Sequence, residues 1–185
     1  QALPLDVKRD VNTRVKGLFV TRICTTTRNA FDSIFISSFI GLSAVAIYGN
    51  YYYIMSAIIG ILNVLTVAMT ASVGNSLVTE SIEKNYNDLR QMNFLFNWIV
   101  GFCTCCLLTM IQPFMRIWMG KDALFSVPMV ILMCIYFYIL NIGSIRAVYH
   151  DAAGLWWEAR YRAIIEAVMN LVLNFILTRW LGVFG

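Results

Sequence analysis

Three long stretches of the chain contain no Asp, Glu, Lys, Arg or His, and this pattern predicts helices that cross a membrane. The stretches cover residues 33–79, 91–115 and 123–145. An α-helix needs about 20 consecutive apolar residues to cross the ~30 Å hydrocarbon layer. The first stretch is therefore long enough for more than one span, and each of the other two is long enough for one.

Five membrane spans are predicted along the chain. They are placed near residues 17–40, 44–70, 91–114, 127–148 and 162–181. Charged loops are predicted at 75–90, 116–126 and 149–161. The prediction of the first span depends on the residue pattern more than on hydropathy, because this segment contains Arg22, Arg28 and Asp32.

The N-terminal segment, residues 1–16, is polar but carries a periodic apolar pattern. Val7, Val11, Val15 and Leu18 recur every three or four residues, as on one face of a helix. Basic residues flank this face, which predicts an amphipathic helix on the cytoplasmic membrane surface. A soluble helix that packs on another part of the protein is the alternative. The predicted fold class is an all-α, polytopic membrane protein, with this surface helix followed by a transmembrane bundle of about five helices over 17–185.

Composition and charge support a membrane protein with a defined orientation. Apolar residues make up 59% of the chain and charged residues 13%, which argues against an ordinary soluble enzyme. Lys and Arg collect on the side predicted to be cytoplasmic, where nine lie against three on the other side. The nine are Lys8, Arg9, Arg14, Lys16, Lys84, Arg90, Arg146, Arg160 and Arg162, and the three are Arg116, Lys121 and Arg179. This asymmetry predicts a cytoplasmic N-terminal segment and a chain end on the outer side.

No residue pattern predicts catalysis or metal binding. The five cysteines all lie inside predicted spans, at positions 24, 103, 105, 106 and 134, and no His accompanies them. The single histidine, His150, lies in a predicted loop, and the motifs of phosphate-binding loops, serine hydrolases and zinc proteases are absent. We expect no catalytic residue, no metal or cofactor, no enzyme activity and no nucleic-acid partner.

Polar residues at helical spacing lie inside the first predicted span. Thr25, Arg28, Asn29 and Asp32 fall on one side of this helix, and Arg28 and Asp32 are spaced to pair. A charge at the bilayer centre costs ~2.5–3.5 kcal/mol on insertion scales, so these side chains are not expected to face lipid. They line a water-filled cavity in which Arg28 binds an anion, or they form a structural ion pair between helices.

The other spans repeat this arrangement of one polar face each. The last span places Arg162, Glu166, Asn170 and Asn174 four residues apart. The second span offers a face that includes Asn63, and the third a face with Asn93, Asn97 and Gly101. For the second and third spans, packing between helices is the favoured interpretation, since small and amide residues serve that role in membranes. Together the polar faces predict a bundle around a polar, net-positive cavity.

Four segments of the chain resemble one family of membrane proteins. In order they are FDSIFISSFIGLSAVAIYGNYYYIMSAI, ASVGNSLVTESIEKNYNDL, PFMRIWMGKD and DAAGLWWEARYRAIIEAVMNLVLNFILTRWLGVFG. These resemble the second half of a bacterial polysaccharide-biosynthesis (Wzx-like) flippase, of the superfamily that includes MATE exporters. Ala159 stands where the family has Asp, and Ala163 where it has Pro, which concerns loop contacts and a helix start.

The resemblance implies a two-lobe MATE-like fold, in which this chain supplies the surface helix between the lobes and the seventh to eleventh spans. It implies transport of an undecaprenyl-pyrophosphate-linked oligosaccharide across the bacterial cytoplasmic membrane. The expected partners are that lipid-linked oligosaccharide, membrane lipids and an N-terminal lobe of the same protein, since the sequence is expected to be an internal fragment.

Roles for individual residues follow as hypotheses. Arg28 would bind the pyrophosphate, while Asn29, Asn63 and Asn170 would hydrogen-bond to sugars. Asp32 and Glu166 are candidates for ion coupling, because desolvation raises the pKa of a carboxyl group. The alternatives are a cation-coupled multidrug exporter of the same fold, a peptidoglycan lipid II flippase, a non-transporting scaffold of a glycan-synthesis complex, and a membrane glycosyltransferase.

Overall fold

The computed structural model describes the backbone of residues 5–39, 42–121 and 124–181, which form six α-helices. Within these ranges the side chains of 5–6, 10, 28–39, 42–44, 178 and 181 are outside the description. The helices are α1 (Leu5–Phe39), α2 (Leu42–Thr79), α3 (Ile82–Trp118), α4 (Val127–Asn141), α5 (Ser144–Ala152) and α6 (Trp156–Leu181). The all-α prediction is therefore confirmed for the described residues.

Three segments are long and apolar enough to cross a membrane, as the sequence predicted for this part of the chain. They are Val45–Thr79, Ile82–Trp118 and Val127–Ala152. They contain the predicted spans at 91–114 and 127–148 and nearly all of the one at 44–70. The predicted spans at 17–40 and 162–181 lie on α1 and α6, which carry more charged side chains, and these two spans stay predictions.

The predicted charged loop at 75–90 is wrong, because this region is helical. α2 continues to Thr79 and α3 begins at Ile82, so only two residues separate the helices. The Ser81 hydroxyl caps α3 by accepting a hydrogen bond from the Lys84 backbone N–H at 3.3 Å. The Lys84 ammonium lies 2.7 Å from the Glu80 carboxylate. A capped helix end with paired charges extends beyond the apolar segment, so the charges mark the end of the apolar run and not the end of the helix.

The other two predicted loops are also shorter than expected. α3 continues to Trp118, and α5 and α6 leave only residues 153–155 between them. Gly154 has φ +68°, a left-handed conformation that glycine adopts without steric cost. The predicted span at 127–148 is interrupted at 142–143, between α4 and α5. Residues 5–16 of the predicted surface helix and 17–39 of the predicted first span lie on one continuous helix, α1.

The described chain divides into two compact units. The α1–α6 unit comprises residues 1–45 and 154–185, and the α2–α5 unit comprises residues 46–153. In the α1–α6 unit the two helices cross closely at Gly17. A methyl group on Gly17 would lie 2.8 Å from backbone atoms of Trp156 and Trp157, so only glycine fits there. The Arg14 guanidinium also donates to the Gly154 carbonyl at 3.1 Å.

The α2–α5 unit has an apolar core with two polar junctions. Its fully buried side chains are Tyr51, Met55, Val100, Met115, Phe137 and Ile145. At one junction the Asn85 amide donates to the carbonyls of Ser76 (3.0 Å) and Ser81 (3.2 Å), and the Ser76 hydroxyl donates to the Asn85 side-chain oxygen (2.9 Å). These bonds tie the end of α2 to the start of α3.

The second junction joins α2, α3 and the segment before α4 in a closed ring of hydrogen bonds. The Tyr51 hydroxyl donates to Gln112 Oε1 at 2.8 Å and accepts from the Phe125 N–H at 3.2 Å. The Gln112 amide donates to the Phe125 carbonyl at 2.8 Å. The Tyr51 and Phe125 rings also stack, with centroids 5.1 Å apart. The tyrosine hydroxyl can therefore lie at a buried position because it has both a donor and an acceptor partner.

Candidate functional site

A groove of about 1060 Å³ runs along one side of α3 in the α2–α5 unit. We call it the α3 groove. Its lining residues are Asn87, Arg90, Gln91, Asn93, Phe94, Asn97, Trp98, Gly101, Phe102 and Cys105 from α3, with Tyr138 from α4. Most of the α3 positions recur every three or four residues, so they form a continuous stripe on one helix.

The side-chain oxygens of Asn93 and Asn97 are the groove's most unusual groups. Both oxygens are shielded from solvent and have no hydrogen-bond partner in the described part of the chain. A buried acceptor without a partner costs free energy, and in native proteins the great majority of such atoms are paired with protein or water. Neither oxygen is open to the groove, so these two side chains line the groove with their other atoms.

Aromatic rings form one wall of the groove, and the space beside Gly101 is open. Phe94 and Trp98 meet edge to face with ring centroids 6.4 Å apart, and both rings are more than half exposed. Phe102 is 71% exposed. A methyl group on Gly101 would meet no atom within 4 Å, so the groove is open at that point. Amides and aromatic rings together suit a ligand that has both hydroxyl groups and apolar faces.

The groove extends along much of a predicted span. From Asn87 to Cys105 the helix rises about 27 Å, which is close to the thickness of the hydrocarbon layer. Arg90 lies near one end, on the side of the membrane that the charge asymmetry predicts to be cytoplasmic. Cys105, an exposed thiol, lies at the other end of the stripe.

The structure places the predicted site residues in different environments. Arg28, Asn29 and Asp32 have side chains outside the described residues. Asn63 is exposed on α2. Thr25, which the polar pattern groups with Arg28, donates its hydroxyl to the Thr21 carbonyl of its own helix at 2.9 Å.

The predicted polar stripe of α6 divides into two parts in the structure. Glu166 is about half exposed and pairs with Arg162 at 3.3 Å. Asn170 is half-buried, and its side-chain oxygen accepts a hydrogen bond from Asn174 at 3.1 Å. The amide pair and the ion pair are thus both contacts within one helix.

Sequence reasoning found part of the α3 groove but interpreted it differently. The spacing of Asn93, Asn97 and Gly101 predicts one helix face, for which packing between helices is the favoured interpretation and a polar cavity the alternative. In the described structure neither asparagine oxygen bonds to a neighbouring helix. Arg90 and the aromatic residues were not connected with this face, although their spacing places them on it. Tyr138 belongs to another helix, and no local signal in the sequence connects it with α3.

Comparison of the chain with protein families, with curated proteins and with solved structures found no match.

Proposed function

We propose that this chain forms part of a transporter that moves a lipid-linked oligosaccharide across the bacterial cytoplasmic membrane by alternating access. The observation that carries the proposal is a groove lined by amide side chains, among them those of Asn93 and Asn97, and by aromatic rings, along a helix apolar enough to span the membrane. The sequence resemblance to Wzx-like flippases supplies the substrate class.

The physical task of such a transporter explains why a polar groove would lie along a span. A sugar headgroup in hydrocarbon loses its hydrogen bonds to water, at a cost of several kcal/mol for each unsatisfied group. The α3 groove offers amide groups in place of water, and aromatic rings against the apolar faces of sugars. The lipid tail can stay in the surrounding bilayer. Rocking of one part of the protein against another would then expose the groove to each side in turn.

Native cysteines on α3 provide a direct test that the groove is hydrated. Cys105 lines the α3 groove, while Cys106 lines an apolar groove with Ile54 and Ile58 of α2, and Cys103 lines neither. Full-length variants that each retain one of these three cysteines would be treated with a membrane-impermeant thiol reagent. Because the thiolate is the reactive form and needs water, we expect Cys105 to react at least tenfold faster than the other two. Equal rates at all three positions would show that Cys105 has no more access to water than the other two cysteines and would contradict the proposal.

Transport itself is tested by a substitution at Asn97 in the full-length protein reconstituted into vesicles. Asn97→Leu keeps a similar side-chain volume but removes the amide, so translocation of lipid-linked oligosaccharide should fall at least tenfold. Asn97→Gln retains the amide and is expected to keep most of the activity. Full activity of Asn97→Leu would exclude the α3 groove as the path. A wild-type protein that translocates no lipid-linked oligosaccharide would refute the proposed function.

A further inference from the structure

A second groove lies between α2 and α3, on another side of α3 from the α3 groove, and its lining is almost entirely apolar. We call it the α2–α3 groove. Its volume is about 490 Å³, and it is lined by Ile54 and Ile58 of α2 and by residues of α3 between Cys106 and Ile117. The single hydroxyl among these described side chains, that of Thr109, already donates to two carbonyls of its own helix at 3.0 and 3.1 Å. The groove therefore suits a hydrocarbon chain.

The length and the position of the α2–α3 groove match one leaflet of a bilayer. From Cys106 to Ile117 the helix rises about 16 Å, which is about half of the ~30 Å hydrocarbon layer. Aromatic rings stand at the end of the groove near the end of α3. The rings of Phe114 and Trp118 have centroids 5.7 Å apart, and those of Tyr53 and Trp118 6.4 Å apart. Tryptophan and tyrosine are enriched at the membrane–water interface, so these rings indicate where the lipid headgroups begin.

Two basic residues lie at the same end of the groove. Arg116 is in the last turn of α3, three residues after the groove residue Pro113 and thus beside it on the helix surface. Lys121 follows the helix, and both side chains are exposed. Neither is within ion-pair distance of a carboxylate in the part of the chain that the structure describes. The charge asymmetry of the sequence predicts that this end is on the outer side of the membrane.

We propose that the α2–α3 groove binds one anionic phospholipid from the outer leaflet of the membrane. One acyl chain lies in the groove, and the phosphate lies beside Arg116, whose guanidinium group has N–H donors in a planar fork that matches two phosphate oxygens. Lys121 adds a second positive charge at the level of the headgroup. This lipid is a bound component of the membrane and not the cargo, so the site goes beyond the proposed transport and does not depend on it.

Other membrane lipids fit this end of the groove less well. A zwitterionic phospholipid carries an ammonium group, which the charges of Arg116 and Lys121 repel. A neutral diacylglycerol has no phosphate for the guanidinium group to bind. An anionic headgroup with an uncharged alcohol, such as that of phosphatidylglycerol, has neither disadvantage. Each Lys or Arg near an anionic headgroup contributes about 1 kcal/mol, which corresponds to about fivefold in binding.

Photochemical crosslinking of lipids to the full-length protein would test the proposal. The protein would be reconstituted into phosphatidylcholine vesicles that contain one of two photoreactive lipids. Both carry a diazirine on the same acyl chain, and the headgroup is either phosphatidylglycerol or phosphatidylcholine. We expect the phosphatidylglycerol form to label the α3 segment 106–117 about fivefold more than the phosphatidylcholine form. Peptides of α4 around Ile139, which is 65% exposed and does not line the groove, should be labelled equally by both.

Two outcomes of this experiment would overturn the proposal. Equal labelling of the segment 106–117 by the two lipids would show that the groove holds any lipid and that the headgroup contact is wrong. Absence of labelling there, with α4 labelled as expected, would show that another part of the protein covers the groove.

The headgroup contact is tested by Arg116→Gln, with Arg179→Gln as the matched control. Arg179 is an exposed arginine of α6, predicted to be on the same side of the membrane, and it does not line the groove. Arg116→Gln should lower the preference of the segment 106–117 for phosphatidylglycerol about fivefold and leave its labelling by phosphatidylcholine unchanged. Arg179→Gln should keep the preference of the parent protein. The same preference in the parent and both variants would refute the role of Arg116.

Discussion

The buried ring of hydrogen bonds around Tyr51 yields a sharp prediction about stability. Tyr51→Phe removes one oxygen atom from a side chain that is fully buried, and it keeps the aromatic ring that stacks on Phe125. The substitution leaves Gln112 Oε1 without its donor and the Phe125 N–H without its acceptor. The packing volume stays nearly constant, so the measured effect reports mainly on hydrogen bonding.

The expected magnitude follows from these two lost bonds. A net hydrogen bond in a protein contributes about 0.5–1.5 kcal/mol, and a stranded buried group costs somewhat more. Two such bonds give a loss of about 2 kcal/mol in the free energy of unfolding. This loss corresponds to roughly a 30-fold change in the folding equilibrium constant.

Unfolding of the purified full-length protein in mixed micelles, titrated with a denaturing detergent, would measure this loss. Tyr53→Phe is the control, since Tyr53 is 67% exposed and the loss of its hydroxyl should change stability by less than 0.5 kcal/mol. Gln112→Leu, alone and combined with Tyr51→Phe, completes a double-mutant cycle in which the two effects should not add. Equal stability of the Tyr51→Phe and Tyr53→Phe variants would refute the assigned hydrogen-bond ring.

Three other predictions follow from positions described above. Gly17→Ala should destabilise the protein by about 1–3 kcal/mol in detergent unfolding, because the new methyl group meets backbone atoms of Trp156. Gly60→Ala places its methyl group in open space and should leave the stability unchanged. Asn85→Leu leaves the polar groups at the junction of α2 and α3 without hydrogen-bond partners. It should lower the free energy of unfolding by about 2–3 kcal/mol in the same measurement. A loss below about 0.5 kcal/mol would contradict the hydrogen bonds found there. Gly101→Leu should fill the α3 groove and reduce transport at least tenfold without loss of stability. The control variant Gly60→Leu should transport normally. Equal transport by the two variants would argue against the groove as the path of the substrate.

The long uncharged runs made three helices that are long and apolar enough to cross a membrane predictable from the sequence. The helix ends were not, because charge marks where the apolar segment ends and carries no information on where helical hydrogen bonding ends. At the α2–α3 connection, Ser81 and the Glu80–Lys84 pair continue the helices through a region that composition alone assigns to a loop. A serine followed by a charged, helix-compatible sequence is a usable signal for such a short connection.

The candidate site was predictable only in part, because some of its residues are close in sequence on one helix and others lie far apart in the sequence. The spacing of Asn93, Asn97 and Gly101 is local and was recognised. Whether an amide meets a partner on another helix depends on tertiary packing, which spacing cannot give. The same reason hides the bond from Tyr51 to Gln112, two residues that lie far apart in sequence.

The hydrogen bonds between α2 and α3 restrict how these two helices can move along each other. The two helices are joined by the Ser76–Asn85 bonds near their two-residue connection and by the Tyr51–Gln112 bond about 40 Å away along their length. A translation of either helix by one residue, about 1.5 Å along its axis, would stretch the hydrogen bonds at both positions at once. Sliding of α2 along α3 would therefore require hydrogen bonds at both ends of the hairpin to break together.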